Sequence, residues 1–340
     1  MISRLFSDEE QVTFYPTYGY QKGTGWRIPM RIWVHEPRSL MESIITELVA
    51  VMGNLDPKEI SNFRSRIADL IADDESGEKV IFKFDHDPDG EEYRVQGEDG
   101  AFPETDLNGL ITGFITLSET KAEKFIRTQG SQNGWLTFRA VSTGHSGVGR
   151  VRLIPPSGRS VISDIDDTIK ITGIPDGVEV VLRNTFFRDF KKAPGMDTRY
   201  QNLGEAAFHY VSAGPWQLCR PLVEFLFGEQ GGFPEGTFHM RYFPKNVLEK
   251  ETLQVLRRIV ELKEEDKFNY KVEQIGTLMR TFPQRRFILF GDNGEKDPEV
   301  YRRIWNDFPD QVEKILIRYV VDDSLTHPDR LRGMTIIPAE

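Results

Sequence analysis

The second half of the chain carries five short apolar runs: Val161-Ile162, Phe208 to Val211, Thr237 to Tyr242, Arg286 to Phe290 and Lys314 to Val321. Helical stretches alternate with them. A strand that is apolar on both faces belongs in a parallel sheet covered by helices, so this region is constrained to an α/β fold. Each run ends in small or acidic residues, as in Ser163-Asp164, Ser212-Ala213-Gly214, Gly291-Asp292 and Asp322-Asp323-Ser324. Ligands of open α/β sheets bind beyond the carboxyl ends of the strands, which is where these polar residues fall.

The first half has a different texture. Short β-type segments run from Trp26 to Trp33, Lys79 to Phe84, Glu92 to Val95, Gly109 to Leu117 and Trp135 to Val141, with turn signals such as Asp89-Gly90 and Asp99-Gly100 between them. Two helices interrupt this pattern. One is predicted from Ser39 to Met52; the other runs from Pro57 to Ala72, with Asp56 as its N-cap and Pro57 in its first turn. The Ile154-Pro155-Pro156-Ser157-Gly158 run can continue neither a helix nor a ladder. It divides the 340 residues into a β-rich, sandwich-like domain over 1–154, with a helical pair near 39–72, and an α/β domain over 155–340.

Composition excludes several classes. No apolar stretch is long enough to span a bilayer, and the amino terminus lacks the apolar core of a signal peptide. The single cysteine, Cys219, forbids an intrachain disulfide and fits a reducing, cytoplasmic setting. With 53 acidic residues against 43 Lys and Arg, the balance disfavours nucleic acid as a partner. Much of the excess falls between Asp73 and Asp106, read as a solvated surface. There Asp85-His86-Asp87-Pro88-Asp89-Gly90 resembles the opening of a calcium loop, but Gln96 stands where the bidentate Glu belongs, so a hairpin turn is favoured. His145 reads as a loop residue of the first domain.

The densest chemical signal is Val161-Ile162-Ser163-Asp164-Ile165-Asp166-Asp167-Thr168. Three acids packed directly after a buried strand are costly, because burial and mutual repulsion both oppose their charge. A divalent cation relieves both costs; Mg²⁺ favours carboxylate oxygens and bridges to phosphates. An acidic turn is the plain alternative for this octet alone. Three downstream features weigh against it. Tyr210 to Trp216 is a strand ending in the Ser212 hydroxyl with small neighbours, suited to phosphate oxygens. Phe287 to Asp297 aims a second strand at Asp292 and Asp297. Lys271 offers the cation that a phosphate on a carboxylate site requires. Lys245 competes for that role but comes too early in the strand order.

Taken in order, DxDxT, a strand-end Ser, a Lys and GDxxxxD are similar to the four motifs of the haloacid dehalogenase (HAD) superfamily. The fuller strings Ser160 to Lys170, Tyr210 to Trp216 and Gly291 to Tyr301 resemble the actin-patch-type phosphatidate phosphatase catalytic-domain family, over roughly Pro155 to Asp323. Tyr15-Pro16-Thr17-Tyr18-Gly19 and Arg152-Leu153-Ile154-Pro155-Pro156 are similar to amino-terminal parts of such proteins. The resemblance implies a HAD-like Rossmannoid parallel sheet with a minimal cap. It also implies an Mg²⁺-dependent phosphomonoesterase that uses Asp164 as nucleophile and Asp166 as acid and base. Thr168 would support the nucleophile loop, Ser212 and Ala213 would hold phosphate oxygens, and Lys271 would neutralise the phosphoryl charge. Asp164, Asp166 through its carbonyl, Asp292 and Asp297 would form the metal site. A second acid at Asp166 suits an alkoxide leaving group, which needs a proton as a halide does not.

Phosphatidate is the substrate implied by the resemblance, which makes the chain peripheral at membranes. A soluble phosphate ester, a phosphoprotein, or a non-catalytic HAD-fold interaction role are the alternatives. The 40 residues from Ile169 to Phe208 leave room for a flap rather than a lid. Phe186, Phe187, Met196 and Trp216 then either rim an open mouth or pack the flap onto the core.

Overall fold

Along Gly25–Glu36, alternate residues from Trp26 through Ile28, Met30 and Ile32 to Val34 are buried, the period of a strand with one face on a core. This segment organises the amino-terminal sheet. In a computed structural model, which describes residues 10–37, 44–46, 55–243, 252–322 and 329–339, its strands are β1 (Glu10–Phe14), β2 (Thr17–Lys22), β3 (Gly25–Glu36), β4 (Asp73–Asp74), β5 (Phe82–Phe84), β6 (Leu110–Ser118), β7 (Trp135–Ala140), β8 (His145–Ser146) and β9 (Val148–Leu153). β3 pairs antiparallel with β1, β2, β4 and β6. β2 and β9 pair in parallel, Gly19 opposite Leu153, so two strings noted as separate family resemblances are neighbours. A side chain at Gly19 would strike Leu153. The core is aromatic, with the Phe14, Phe82, Phe84, Phe125 and Phe138 rings joined by edge, tilted or stacked contacts.

The carboxyl-terminal sheet is parallel throughout. Its strands are β10 (Ser157–Ser163), β11 (Ala207–Pro215), β12 (Gly236–Arg241), β13 (Gln284–Asp292), β14 (Val312–Tyr319) and β15 (Thr335–Pro338), in the order β12-β11-β10-β13-β14-β15. The first strand in sequence therefore lies between the second and the fourth. That reversal is the topological switch point of a doubly wound sheet, where a crevice opens beyond the strand ends. Asp164 continues the ladder there, its N–H donating to Phe290 O at 2.9 Å.

The chain divides into one compact unit of Met1–Arg38 with Ala72–Pro155 and a second of Ser39–Ile71 with Pro156–Glu340. The helix Pro57–Ile71 thus departs from the expectation that it belongs with the β-rich domain. It starts as read: Asp56 Oδ1 accepts from the N–H groups of Lys58 and Glu59 at 2.8 Å each, and Glu59 reaches back to the Asp56 N–H. Its apolar face, however, is spent within the second unit. Phe63 stacks on Phe187 at 5.0 Å, Asn62 donates to Phe187 O, Arg66 donates to Thr185 O, and Asp69 forms a two-point pair with Arg220. Chain order is a weak guide when an inserted helix finds its apolar partner elsewhere. Of the helix expected over 39–52, only 44–46 are described, and they are helical. A further helix of this unit is described from Thr252 to Val260; Lys245 lies outside the described residues.

Between Ile169 and Phe208 stand the helix Val178–Leu182, a π-helical turn Arg183–Phe187 and the helix Met196–Gln201. Phe186, Phe187 and Met196 are at most 1% exposed, so they pack this flap onto the core rather than rim an opening. In the first unit, Asp85 pairs with Arg139 and Asp89 with Lys124, while Asp87 accepts the Asp89 and Glu91 N–H groups. The calcium-like string is a turn whose carboxylates are already engaged.

Candidate active site

Asp164 leaves the end of β10 with a carboxylate that is 2% exposed. Its Oδ1 lies 2.7 Å from Lys271 Nζ, and its Oδ2 lies 3.2 Å from Thr168 Oγ1. Thr168 Oγ1 is also 3.2 Å from Asp292 Oδ2, at the end of the neighbouring β13. Lys271, on the helix Glu264–Thr281, reaches Asp297 Oδ1 at 2.6 Å as well. The lysine thus links the strand-end carboxylate to the first residue of the helix Asp297–Asp307. Asp297 can tuck beneath β13 only because position 291 is glycine: a Cβ there would come within 2.6 Å of its Oδ2.

The electrostatics follow from burial. Burial, opposed by Lys271 and reinforced by Asp297, Asp292 and Glu295, pushes the Asp164 carboxyl well above the ordinary carboxylate range. Burial and the charges of Asp297 and Glu295 do the same to Asp292. For Lys271, burial disfavours the charge, but Asp164 and Asp297 overcome it and hold the ammonium well above its usual range.

Asp166 behaves differently. Burial works against its charge, yet Lys170 outweighs it and holds the carboxyl below its usual range. Lys170 Nζ is 2.8 Å and Thr172 Oγ1 2.7 Å from Asp166 Oδ1, whereas Ser212 Oγ is 3.4 Å from Oδ2. Asp167 turns away from this group. Its backbone is left-handed, at φ 56°, a conformation Asp tolerates better than most residues, and its carboxylate accepts the N–H groups of Thr172, Gly173 and Ile174. That clamp folds the loop back, so Lys170 and Thr172 meet Asp166.

All the site residues read from the sequence gather at this one strand-end crevice. Ser212 accepts the Gly214 N–H at 3.0 Å where β11 bulges, and Ala213 lines the same cavity. Lys170, Thr172 and Glu295 escaped the sequence reading, and Asp167, read there as one of three acids relieved by a cation, is instead satisfied by backbone N–H groups. The i,i+4 spacing of Asp166 and Lys170 was the available signal. Asp164, Asp292 and Asp297 offer carboxylate oxygens within 4.8 Å of one another. A second group of this kind among the described residues, Glu10, Glu78 and His145, lies in the first unit. There His145 Nε2 is 2.8 Å from Glu10 and its Nδ1 2.7 Å from Ser142. Among the described residues, no helix is long and apolar enough to cross a membrane.

Comparison with known proteins places this geometry. Residues 159–319 match the family described as "Phosphatidate phosphatase APP1, catalytic domain". Phosphatidate phosphatase APP1 of Saccharomyces cerevisiae is 32% identical over 170 residues, covering 48% of this chain and 26% of that protein. An uncharacterized protein of Schizosaccharomyces pombe is 27% identical over 251 residues, covering 72% of this chain and 36% of its own length. The matches therefore span about a quarter to a third of these relatives. A solved Parabacteroides merdae β-glucuronidase overlaps 96% of this chain and 39% of its own at 6% identity and a TM-score of 0.23, too slight a likeness to carry an argument. Residues 159–319, which hold every residue of the crevice, are thus similar to the catalytic domain of the phosphatidate phosphatase APP1 family.

Proposed function

We propose that the chain hydrolyses phosphatidate or a closely related lipid phosphate monoester, on a HAD-like sheet with a minimal cap, by way of an aspartyl-phosphate on Asp164. The observation that carries this reading is the Asp164–Lys271 pair at the switch point, beside Asp166 and Ser212. Asp164 attacks phosphorus while the ester oxygen leaves with a proton from Asp166. Asp166 then takes a proton from the water that attacks the phosphoryl group, releasing inorganic phosphate and restoring the Asp164 carboxylate. Oδ2 is the Asp166 oxygen suited to this traffic, because Oδ1 already receives Lys170 and Thr172. Ser212 and the Ala213 backbone hold phosphoryl oxygens, and Lys271 offsets their charge.

The carboxylates also fit Mg²⁺. Asp164 and Asp292 are buried and raised by like charge, a cost that a divalent cation relieves. Asp164 and Asp292 would hold the ion together with the Asp166 carbonyl. Asp297 spends Oδ1 on Lys271 and lies with Oδ2 3.3 Å from the Asp292 N–H, so it orients both partners. When bound, the ion supplies charge neutralisation at the phosphoryl group. The setting is cytoplasmic, with the chain acting peripherally at membranes.

The test is phosphate release from phosphatidate in detergent micelles, from glycerol phosphate and from a phosphopeptide, with and without EDTA. Release from phosphatidate that is abolished by EDTA and by Asp164→Asn is expected. A preference for glycerol phosphate or the phosphopeptide would overturn the lipid substrate.

A further inference from the structure

The cavity over Asp164, Asp166 and Ser212 encloses about 300 Å³. Much of its lining is aliphatic, including Val178, Val181, Leu222, Met240 and Ile259, side chains from four separate elements. Leu222, Met240 and Ile259 are at most 5% exposed, while Val178 and Val181 are half-buried on the flap helix. Among the described residues, the cations lining the cavity are Lys170 and Lys267, and both are engaged: Lys170 with Asp166, and Lys267 with Glu264 and Glu295. An ester with its phosphorus at Asp164 extends its organic group into this space. Hydroxyls pressed against the aliphatic part of these walls would lose water without gaining partners, and a second phosphate would find no spare cation among the described lining residues, whose remaining charges, Glu261, Glu264 and Glu295 together with Asp164 and Asp166, are acidic. Hydrocarbon meets neither cost.

We infer that the cavity is an acyl site. It takes the glycerol-proximal carbons of the hydrocarbon of a lipid phosphate monoester, with Val178, Val181 and Ile259 as specificity-determining residues. The inference rests on the phosphatase reading above and adds that chain recognition occurs inside the protein, not only at a membrane surface. A volume near the small end of ligand pockets, which run from roughly 300 to 1,000 Å³, holds the start of a chain and leaves its remainder outside.

The experiment measures kcat/KM for 1-acylglycerol phosphates from acetyl to decanoyl, each below its micelle-forming concentration. The expected profile rises by up to roughly fourfold per methylene over the first carbons and then levels off. Val181→Asn should flatten that rise, lowering the decanoyl-to-acetyl ratio by about tenfold or more. Val181→Phe, which removes volume without adding polarity, should move the plateau to shorter chains; thermal melting of both variants checks that they are folded. A flat wild-type profile, or a rise that both folded variants leave unaltered, overturns the acyl site while the phosphatase stands. Hydrolysis of p-nitrophenyl phosphate with no release from any acylglycerol phosphate overturns the lipid reading, and the acyl site with it.

Discussion

Lys170 Nζ lies 2.8 Å from Asp166 Oδ1, so the carboxylate assigned the proton transfers is gripped by a cation four residues along its own loop. The lysine is 2% exposed and lies 5.2 Å from the centre of the Phe190 ring. Its charge, not burial, sets the direction of the Asp166 shift. Lys170→Met should therefore lower kcat by about 10- to 100-fold, on the scale of lost supporting contacts at such sites. It should also let the Asp166 carboxyl rise, so the limb of the pH–rate profile that Asp166 governs moves to higher pH. A lower kcat with both limbs unmoved would reduce Lys170 to a packing role.

On the proposed mechanism, Asp164→Asn and Asp166→Asn would remove the attacking carboxylate and the transferable proton, respectively. Each should cost on the order of 10³-fold or more in kcat, with thermal melting close to wild type. Activity within tenfold of wild type in either folded variant would rule out the assigned roles.

Among the described residues, no cation pairs with Asp292: Lys271 pairs with Asp164 and Asp297, and the Asp292 carboxylate accepts the Gly294 and Glu295 N–H groups. Asp292→Ala should therefore raise the Mg²⁺ concentration for half-maximal activity steeply, or abolish turnover. Metal titration of the purified variant decides this, and an unchanged Mg²⁺ requirement would exclude Asp292 as a ligand.

What was legible in the sequence had a local signature. Runs apolar on both faces announced the parallel sheet, and the acids following them announced the crevice, because strand ends in such a sheet converge there. Lys271 could be weighed for the same reason. Lys170 showed only in its i,i+4 spacing from Asp166 and Thr172 not at all, because their roles depend on the loop reversal that Asp167 enforces through three backbone N–H groups. The unit to which Pro57–Ile71 belongs was hidden too. Its amphipathic pattern states that one face is buried, but not against what.

His239, on β12, carries a pH signature separate from catalysis. Burial lowers its pKa from 6.5 to about 4. The unfolded chain therefore takes up the proton first as pH falls. Stability present above pH 6.5 is lost progressively between about 6.5 and 4, by about 3 kcal/mol from this residue. Urea midpoints at pH 7 and pH 4.5 should converge more in His239→Asn than in wild type, where this loss adds to that from the carboxylates. An equal loss in both proteins would show that His239 does not titrate anomalously.

The last prediction concerns the boundary of the phosphatase unit. The family match begins at residue 159, yet the helix Pro57–Ile71 contributes to the same compact unit. Phe63 and Phe187 are both 0% exposed and bury their rings against each other. Arg66 adds its bond to Thr185 O and lies 3.7 Å from the centre of the Phe190 ring, and the Asp69–Arg220 pair closes the far end of the helix. A fragment over 156–340 would leave Phe187 and Phe190 without these partners. Truncating a buried Phe alone typically costs about 3–5 kcal/mol, against a total stability of about 5–15 kcal/mol. The fragment should therefore aggregate or melt far below the full chain, with little activity. Joining residues 39–71 to it through a flexible linker should restore both. Phe63→Ala in the full chain should reproduce part of the loss. A fragment of 156–340 that melts cooperatively within a few degrees of the full chain would overturn the assignment of this helix to the phosphatase unit.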